Sequence, residues 1–253
     1  MPLFYTPGEL AQADLRANII CFGDSWFAHP IANLSNTIDN IHRGDAILVL
    51  GDAGLEASDM VDPNQRYVKM FTEELIASAN TLTRVYLSAG GNDFAGWDDF
   101  AAVLKPDCRA CALPADCYDV DALRRLFTQI FGDIKTMIEL ARQHAPNAEI
   151  RLHNYDYAIP NGKVKVGSGK WLKTPMDACK VPNRDGLARG GFRREVVATL
   201  IDTFGHWQQD LANQFPGKVV FRQTAGTIAD SEWMDELHAN AAGCRKLARV
   251  FSK

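Results

Sequence analysis

Four short stretches of this chain hold the residue types that acyl transfer needs. Gly23-Asp24-Ser25-Trp26 supplies a hydroxyl, and Gly51-Asp52-Ala53-Gly54 supplies a flexible backbone. Gly90-Gly91-Asn92-Asp93 supplies a carboxamide, and Asp235-Glu236-Leu237-His238 sets an acid three residues before an imidazole. A serine hydroxyl is a poor nucleophile until a base takes its proton. His238 is a candidate base, because an imidazole can hold or release a proton near neutral pH. Asp235 is a candidate partner for the other ring nitrogen, where it would fix the tautomer and stabilise an imidazolium. Attack on an ester carbonyl builds negative charge on oxygen. The Ser25 and Gly54 amides and the Asn92 side chain are candidate donors to that charge. Each residue alone has a plain structural explanation: Gly-Asn-Asp is a good turn sequence, and Asp235 could cap a helix. The ordered set of four is what points to chemistry.

The elements between these stretches explain how they could meet. Five apolar runs read as strands: Asn18–Phe22, Ala46–Leu50, Arg84–Leu87, Glu149–Leu152 and Lys218–Phe221. Helical periodicity fills the gaps. Tyr67, Val68, Phe71 and Leu75 share a face near residues 64–79. A longer stripe runs from Leu123 to Ala141 and stops before Pro146. Val196 to Leu211 gives another, and the tail from Ala241 to Phe251 a last one. Strands alternating with helices predict a parallel sheet covered on both faces. In such sheets the working site lies beyond the carboxyl ends of the strands. The first three stretches directly follow a run, and the fourth ends the loop after the fifth run.

The four blocks together resemble those of the SGNH hydrolases, the GDSL esterase/lipase family. Gly23-Asp24-Ser25-Trp26 resembles the first block, Gly54 the second-block glycine, Gly90-Gly91-Asn92-Asp93 the third block, and Asp235-Glu236-Leu237-His238 the last. The resemblance spans about residues 17–250. It implies a three-layer α/β/α, flavodoxin-like fold in a single domain, with a five-stranded parallel sheet. It also implies a Ser25-His238-Asp235 ester hydrolase that needs no metal or other cofactor, with Ser25, Gly54 and Asn92 as the oxyanion hole. Two positions depart from the pattern. Trp26 stands where the family usually has Leu, and Gly51 competes with Gly54 three residues away.

Two segments exceed what the scaffold requires. Residues 97–119 carry Cys108, Cys111 and Cys117, spaced Cys-x2-Cys-x5-Cys. Reduced thiols, disulfides reaching Cys179, and a metal site completed by a distant ligand such as Cys179 are all open for them. Cys21 and Cys244 fall in strand and helix patterns as small core residues. Residues 154–192 are too long for a plain loop, and read either as a substrate-covering loop or as a structural excursion packed on the surface. From Lys163 to Glu195 there are nine basic residues against three acidic ones. That +6 segment could steer an anionic substrate or simply pair with the acidic body. Trp26, Phe94, Tyr155, Tyr157 and Trp171 are candidate substrate-binding residues. Phe27, Trp97, His29 and His153 lie near strand ends as a second tier.

Composition bounds the partners. The 253 residues are 47% hydrophobic and 23% charged, as in an ordinary soluble globular domain. The net charge of -4 disfavours nucleic acid. No apolar run reaches the ~20 residues of a membrane span, and no signal-peptide pattern opens the chain, so a cytoplasmic location is the default expectation. The expected activity is hydrolysis of small-molecule, glycan or lipid esters through an acyl-enzyme. Alternatives are carbohydrate O-deacetylation, lysophospholipase or thioesterase action, and binding without catalysis.

Overall fold

The computed structural model describes residues 3–28, 37–41, 44–165 and 169–253, and for Trp97 the backbone only. His29 and the Trp97 side chain therefore lie outside the described residues. Six strands among those described form one parallel sheet: β1 (Leu3–Phe4), β2 (Ile19–Gly23), β3 (Ile47–Leu50), β4 (Arg84–Ser88), β5 (Glu149–His153) and β6 (Val219–Arg222). Their spatial order is β1-β3-β2-β4-β5-β6. The last five match the expected runs to within a residue at each end, in flavodoxin-like order. The sheet thus has six strands rather than five. β1 joins the edge by pairing Leu3 with Ile47 and Phe4 with Leu48. A two-residue strand has no alternation to read, so sequence periodicity passes over it.

Both faces of the sheet are buried, which is why its strands read as unbroken apolar runs. Successive residues of β2 point to opposite cores: Ile20 and Phe22 to the larger, Ile19 and Cys21 to the smaller. Helices α2 (Ala57–Val61), α3 (Arg66–Ala77), α6 (Val120–His144) and α8 (Phe192–Asn213) supply the larger core. The smaller core takes Phe27, Ile38 and Ile41 together with Ala248 and Phe251 of α9 (Ala241–Ser252). Helix α6 shows the sequence logic plainly. Phe127, Ile130, Ile134, Met137, Ile138 and Ala141 recur every three or four residues and are all buried. The Asp119 side chain caps its start by accepting from the Asp121 and Ala122 amides. The remaining helices are short: α1 (Pro7–Gln12), α4 (Gly91–Phe94), α5 (Trp97–Val103) and α7 (Lys173–Ala178). No helix among the described residues is long and apolar enough to cross a membrane.

This order sets the place of the site. β2 has β3 on one side and β4 on the other, the arrangement that opens a crevice at the carboxyl ends of the strands. Close backbone contact shapes the crevice floor. A Cβ on Gly51, whose φ is +113°, would sit 1.9 Å from the Gly23 carbonyl oxygen, so no other residue fits there.

Candidate active site

Ser25 follows β2 directly, and His238 arrives in the turn just before α9. That turn is pinned on both sides. Trp233 and Ala239 form an antiparallel bridge across it. The Asn240 side chain then accepts from the Ala242 and Gly243 amides and starts α9. The result joins residues 213 positions apart: His238 Nε2 is 3.0 Å from Ser25 Oγ. On the other side of the ring, His238 Nδ1 is 2.9 Å and 3.1 Å from the two Asp235 oxygens. Asp235 Oδ1 also accepts from the Leu237 and His238 amides, at 3.0 Å and 2.8 Å. Asp235 is fully buried, while Ser25 and His238 keep 9% and 8% of their surface. Burial pushes the Asp235 carboxyl up. The His238 side chain and the two amides outweigh it, so Asp235 lies below the ordinary carboxylate range and stays ionised. With Asp235 an acceptor at Nδ1, that nitrogen carries the ring proton and Nε2 is left to accept from Ser25.

Asn92 lies on α4, just past β4. Its Nδ2 donates to the Leu55 carbonyl at 2.8 Å, which leaves its second amide hydrogen available. Gly54 stands one residue before Leu55, exposed and at φ +86°, with open space where a side chain would be. Asn92 and Ser25 both line one cleft. The cleft wall is largely apolar: Phe94, Leu172, Val197, Leu200, Ile201 and Trp233. Of the candidate substrate-binding aromatics, Trp26, Phe94 and Tyr155 line this cleft. Trp171 does not line it, and instead sets its ring edge-on to the His238 ring at 5.8 Å. Tyr157 is turned away. It donates to Asp202 at 2.6 Å and lines a separate polar cavity with Arg189, Arg194 and Glu195.

Beneath Ser25 runs a buried network that sequence reasoning did not assemble. Asp24 Oδ2 accepts from the Tyr155 hydroxyl at 2.6 Å, and its Oδ1 accepts from Ser88 Oγ at 2.8 Å and the Trp26 amide at 3.0 Å. Ser88 Oγ lies 2.9 Å from His153 Nε2, and His153 Nδ1 accepts from the Tyr155 amide. Ser88 gives its proton to Asp24, so His153 Nε2 must carry the hydrogen that Ser88 accepts. Tyr155 adopts φ +62°, an unusual conformation for a large side chain. Its hydroxyl also accepts from the Gly91 amide, which ties the Asn92 segment to the Ser25 turn. The available signal was positional: Asp24, Ser88 and His153 are polar residues at the ends of buried strands.

Glu236, between Asp235 and His238, is a further buried residue that the sequence pattern does not single out. It is fully buried and accepts from the Gly162, Leu172 and Lys173 amides at 2.8, 3.2 and 3.0 Å. Its carboxylate fastens the 154–192 excursion to the turn that carries His238. The basic residues of that excursion are mostly engaged. Lys173 and Arg193 meet Asp177, Lys180 meets Asp107, and Arg189 and Arg194 meet Asp230. Arg184 donates to the Cys111 and Ala112 carbonyls. Six of the nine therefore have local partners, which favours internal pairing over substrate steering.

Two buried groups give the fold a distinctive pH response. Burial lowers His153 from 6.5 to about 3, so the unfolded chain takes up a proton first and this group costs stability as pH falls below 6.5. Burial raises Asp93 from 3.8 to about 7, against the hydrogen bond from the Ala57 amide. Here the folded chain holds the proton longer, so this group costs stability as pH rises from about 4 through 7. The two slopes oppose each other between pH 4 and 6.5. Asp93→Asn removes the second, and folding stability should then climb more steeply from pH 4 to 7, by on the order of a few kcal/mol. Urea unfolding at several pH values measures this. Equal slopes in both proteins would show that Asp93 titrates alike in the folded and unfolded chains.

No protein-family model matches this chain, and no curated protein does. Solved structures do. A lipase from a goat rumen metagenome superposes with a TM-score of 0.55 at 12% identity, over 92% of this chain and 94% of its own. Phospholipase A1 from Streptomyces albidoflavus NA297 gives 0.50 at 12%, over 94% and 98%. A carbohydrate esterase family 3 protein from Talaromyces cellulolyticus gives 0.50 at 13%, over 92% and 93%. With a parallel sheet in flavodoxin-like order, and with the four blocks in order along it, the chain has the fold of the SGNH, or GDSL, hydrolases.

Proposed function

We propose that the protein hydrolyses carboxylic esters through a covalent acyl-enzyme on Ser25. The observation that carries this reading is the Ser25–His238–Asp235 hydrogen-bond chain opening into the apolar cleft. His238 Nε2 takes the Ser25 proton as Oγ attacks the carbonyl carbon. Asp235 stabilises the imidazolium that results. The oxyanion forms beside the Ser25 and Gly54 amides and the second hydrogen of Asn92 Nδ2. Collapse of the tetrahedral species breaks the ester bond, and His238 returns the proton to the leaving alcohol. Water then repeats the sequence, releasing the acid and restoring Ser25. None of these steps draws on a metal or cofactor.

The cleft favours an aliphatic acyl chain over an acetylated sugar. Val197, Leu200 and Ile201 present three branched side chains of α8 to it, a surface that gains by burying methylenes at roughly 0.8 kcal/mol each. The experiment is a chain-length series of p-nitrophenyl esters run beside acetylated sugars and acyl thioesters, with a fluorophosphonate to label the nucleophile. Ser25 is the expected site of labelling, and butyrate to hexanoate esters are expected to outrun acetate. Activity confined to sugar acetates would reassign the protein as a deacetylase, and an unlabelled Ser25 would make it a binding protein. Leu200→Trp narrows the cleft and should cut the hexanoate-to-acetate ratio of kcat/KM at least ~10-fold, as expected for losing one to three kcal/mol of pocket discrimination.

A further inference from the structure

The extra segment at residues 97–119 gathers three thiols. Residues 104–119 leave α5 and return to α6, closed at the base by a bridge between Leu104 and Tyr118. Inside this loop the sulfurs of Cys108, Cys111 and Cys117 all lie within 4.8 Å of one another, and all three residues are buried. The backbone is folded to bring them there. The Cys111 amide donates to the Cys108 carbonyl at 3.0 Å, and the Lys105 amide donates to the Cys117 carbonyl at 2.8 Å. Buried Cys179 comes from the other excursion, immediately after α7. Its carbonyl accepts from the Cys108 amide at 2.9 Å.

Cysteines that merely fill a core have no reason to converge on one point. Disulfides join sulfurs in pairs, about 2.05 Å apart. Three sulfurs that are mutual neighbours describe a common centre instead. Thiolates placed tetrahedrally about 2.3 Å from a zinc ion stand roughly 3.8 Å apart, inside the 4.8 Å limit that already holds Cys108, Cys111 and Cys117, while the Cys179 sulfur lies outside that trio and has to turn in as the fourth ligand. The charge around the cluster suits this. Four thiolates on Zn²⁺ carry two net negative charges, and the loop's Lys105 and Arg109, with Lys180 and Arg184 held against it, stand beside Asp107, Asp116 and Asp119. Arg184 holds the loop directly through the Cys111 and Ala112 carbonyls.

We propose that Cys108, Cys111, Cys117 and Cys179 hold one zinc ion as a closed structural site. On binding, the four thiols release four protons to solvent and the zinc sheds its waters. No electron changes hands. Four sulfur ligands leave no open position, so the ion takes no part in ester hydrolysis. It staples the 97–119 loop to the 154–192 excursion. Leu172, in the cleft wall, and Cys179 cap the two ends of α7, so the same ion braces one side of the cleft.

The test is metal analysis of the purified full-length protein, with thiol titration in denaturant before and after reduction. The expected result is about one zinc per chain, six titratable thiols in denaturant with chelator and no reductant, and a lower melting temperature after chelation. Cys117→Ser should lose the zinc, while Cys244→Ala should keep it. If Cys117→Ser fails to fold, cobalt substitution of the unmutated protein still decides the matter. Tetrahedral cobalt thiolate gives intense visible bands and sulfur-to-cobalt charge transfer, and an octahedral aquo ion does not. Fewer than six thiols before reduction would mean disulfides and would overturn the proposal. Six thiols with no bound metal and no cobalt spectrum would overturn it equally.

Discussion

Ser25→Ala is expected to lower kcat/KM on short p-nitrophenyl esters by at least ~10³-fold while the fold persists. In the proposed mechanism the substitution removes the attacking oxygen. Structurally it removes little. Among the described residues the Ser25 side chain makes one hydrogen bond, to His238 at 3.0 Å, and it lines the cleft. Losing such a hydrogen bond costs stability of roughly 1 kcal/mol or less. An unchanged circular dichroism spectrum and melting curve, beside absent turnover, is the expected pair of results. Full activity in the variant would sink the assignment of Ser25 as nucleophile.

Asp235→Asn is expected to lower kcat by up to ~10⁴-fold with KM nearly unchanged. The acid touches no substrate-lining surface, so ground-state binding has no reason to move. Its two oxygens receive His238 Nδ1 and the Leu237 and His238 amides. The amide substitute keeps the size and loses the charge. An imidazolium forming at His238 would then face a neutral group within a fully buried pocket, where charge is most costly to leave uncompensated. Steady-state kinetics with separate kcat and KM values measure the effect. A loss below 10-fold, or one carried by KM, would mean that Asp235 serves the turn and not the chemistry.

The strands were legible because burial on both faces leaves an unbroken apolar run. β1 was not, because two residues carry no pattern. The blocks around Ser25, Asn92 and His238 were legible because the strand ends announce where such residues gather. The network under Ser25 was not. It depends on Tyr155 returning to Asp24 across 131 residues, in a backbone conformation that no residue type advertises. The aromatics divided for the same reason. Phe94 and Tyr155 face the cleft, whereas Tyr157 faces Asp202. Residue type says that a ring prefers contact, and says nothing of direction. Charge behaved likewise. The basic excess of residues 163–195 is visible in composition, but the pairing of Arg193 with Asp177 and of Arg194 with Asp230 is a matter of folding.

Glu236 bears on how this scaffold can be re-engineered. A long surface excursion is the natural part to exchange when a new substrate is wanted. Here its backbone amides at Gly162, Leu172 and Lys173 all end on a carboxylate that belongs to the Asp235–His238 turn between strand β6 and helix α9. A transplanted segment without three donors at those points would leave a buried negative charge beside the Asp235–His238 pair. A transplant of the whole segment into another scaffold would arrive with three amides and no acceptor. The excursion and the Asp-Glu-Leu-His turn are one exchangeable unit, and a successful chimera has to move both.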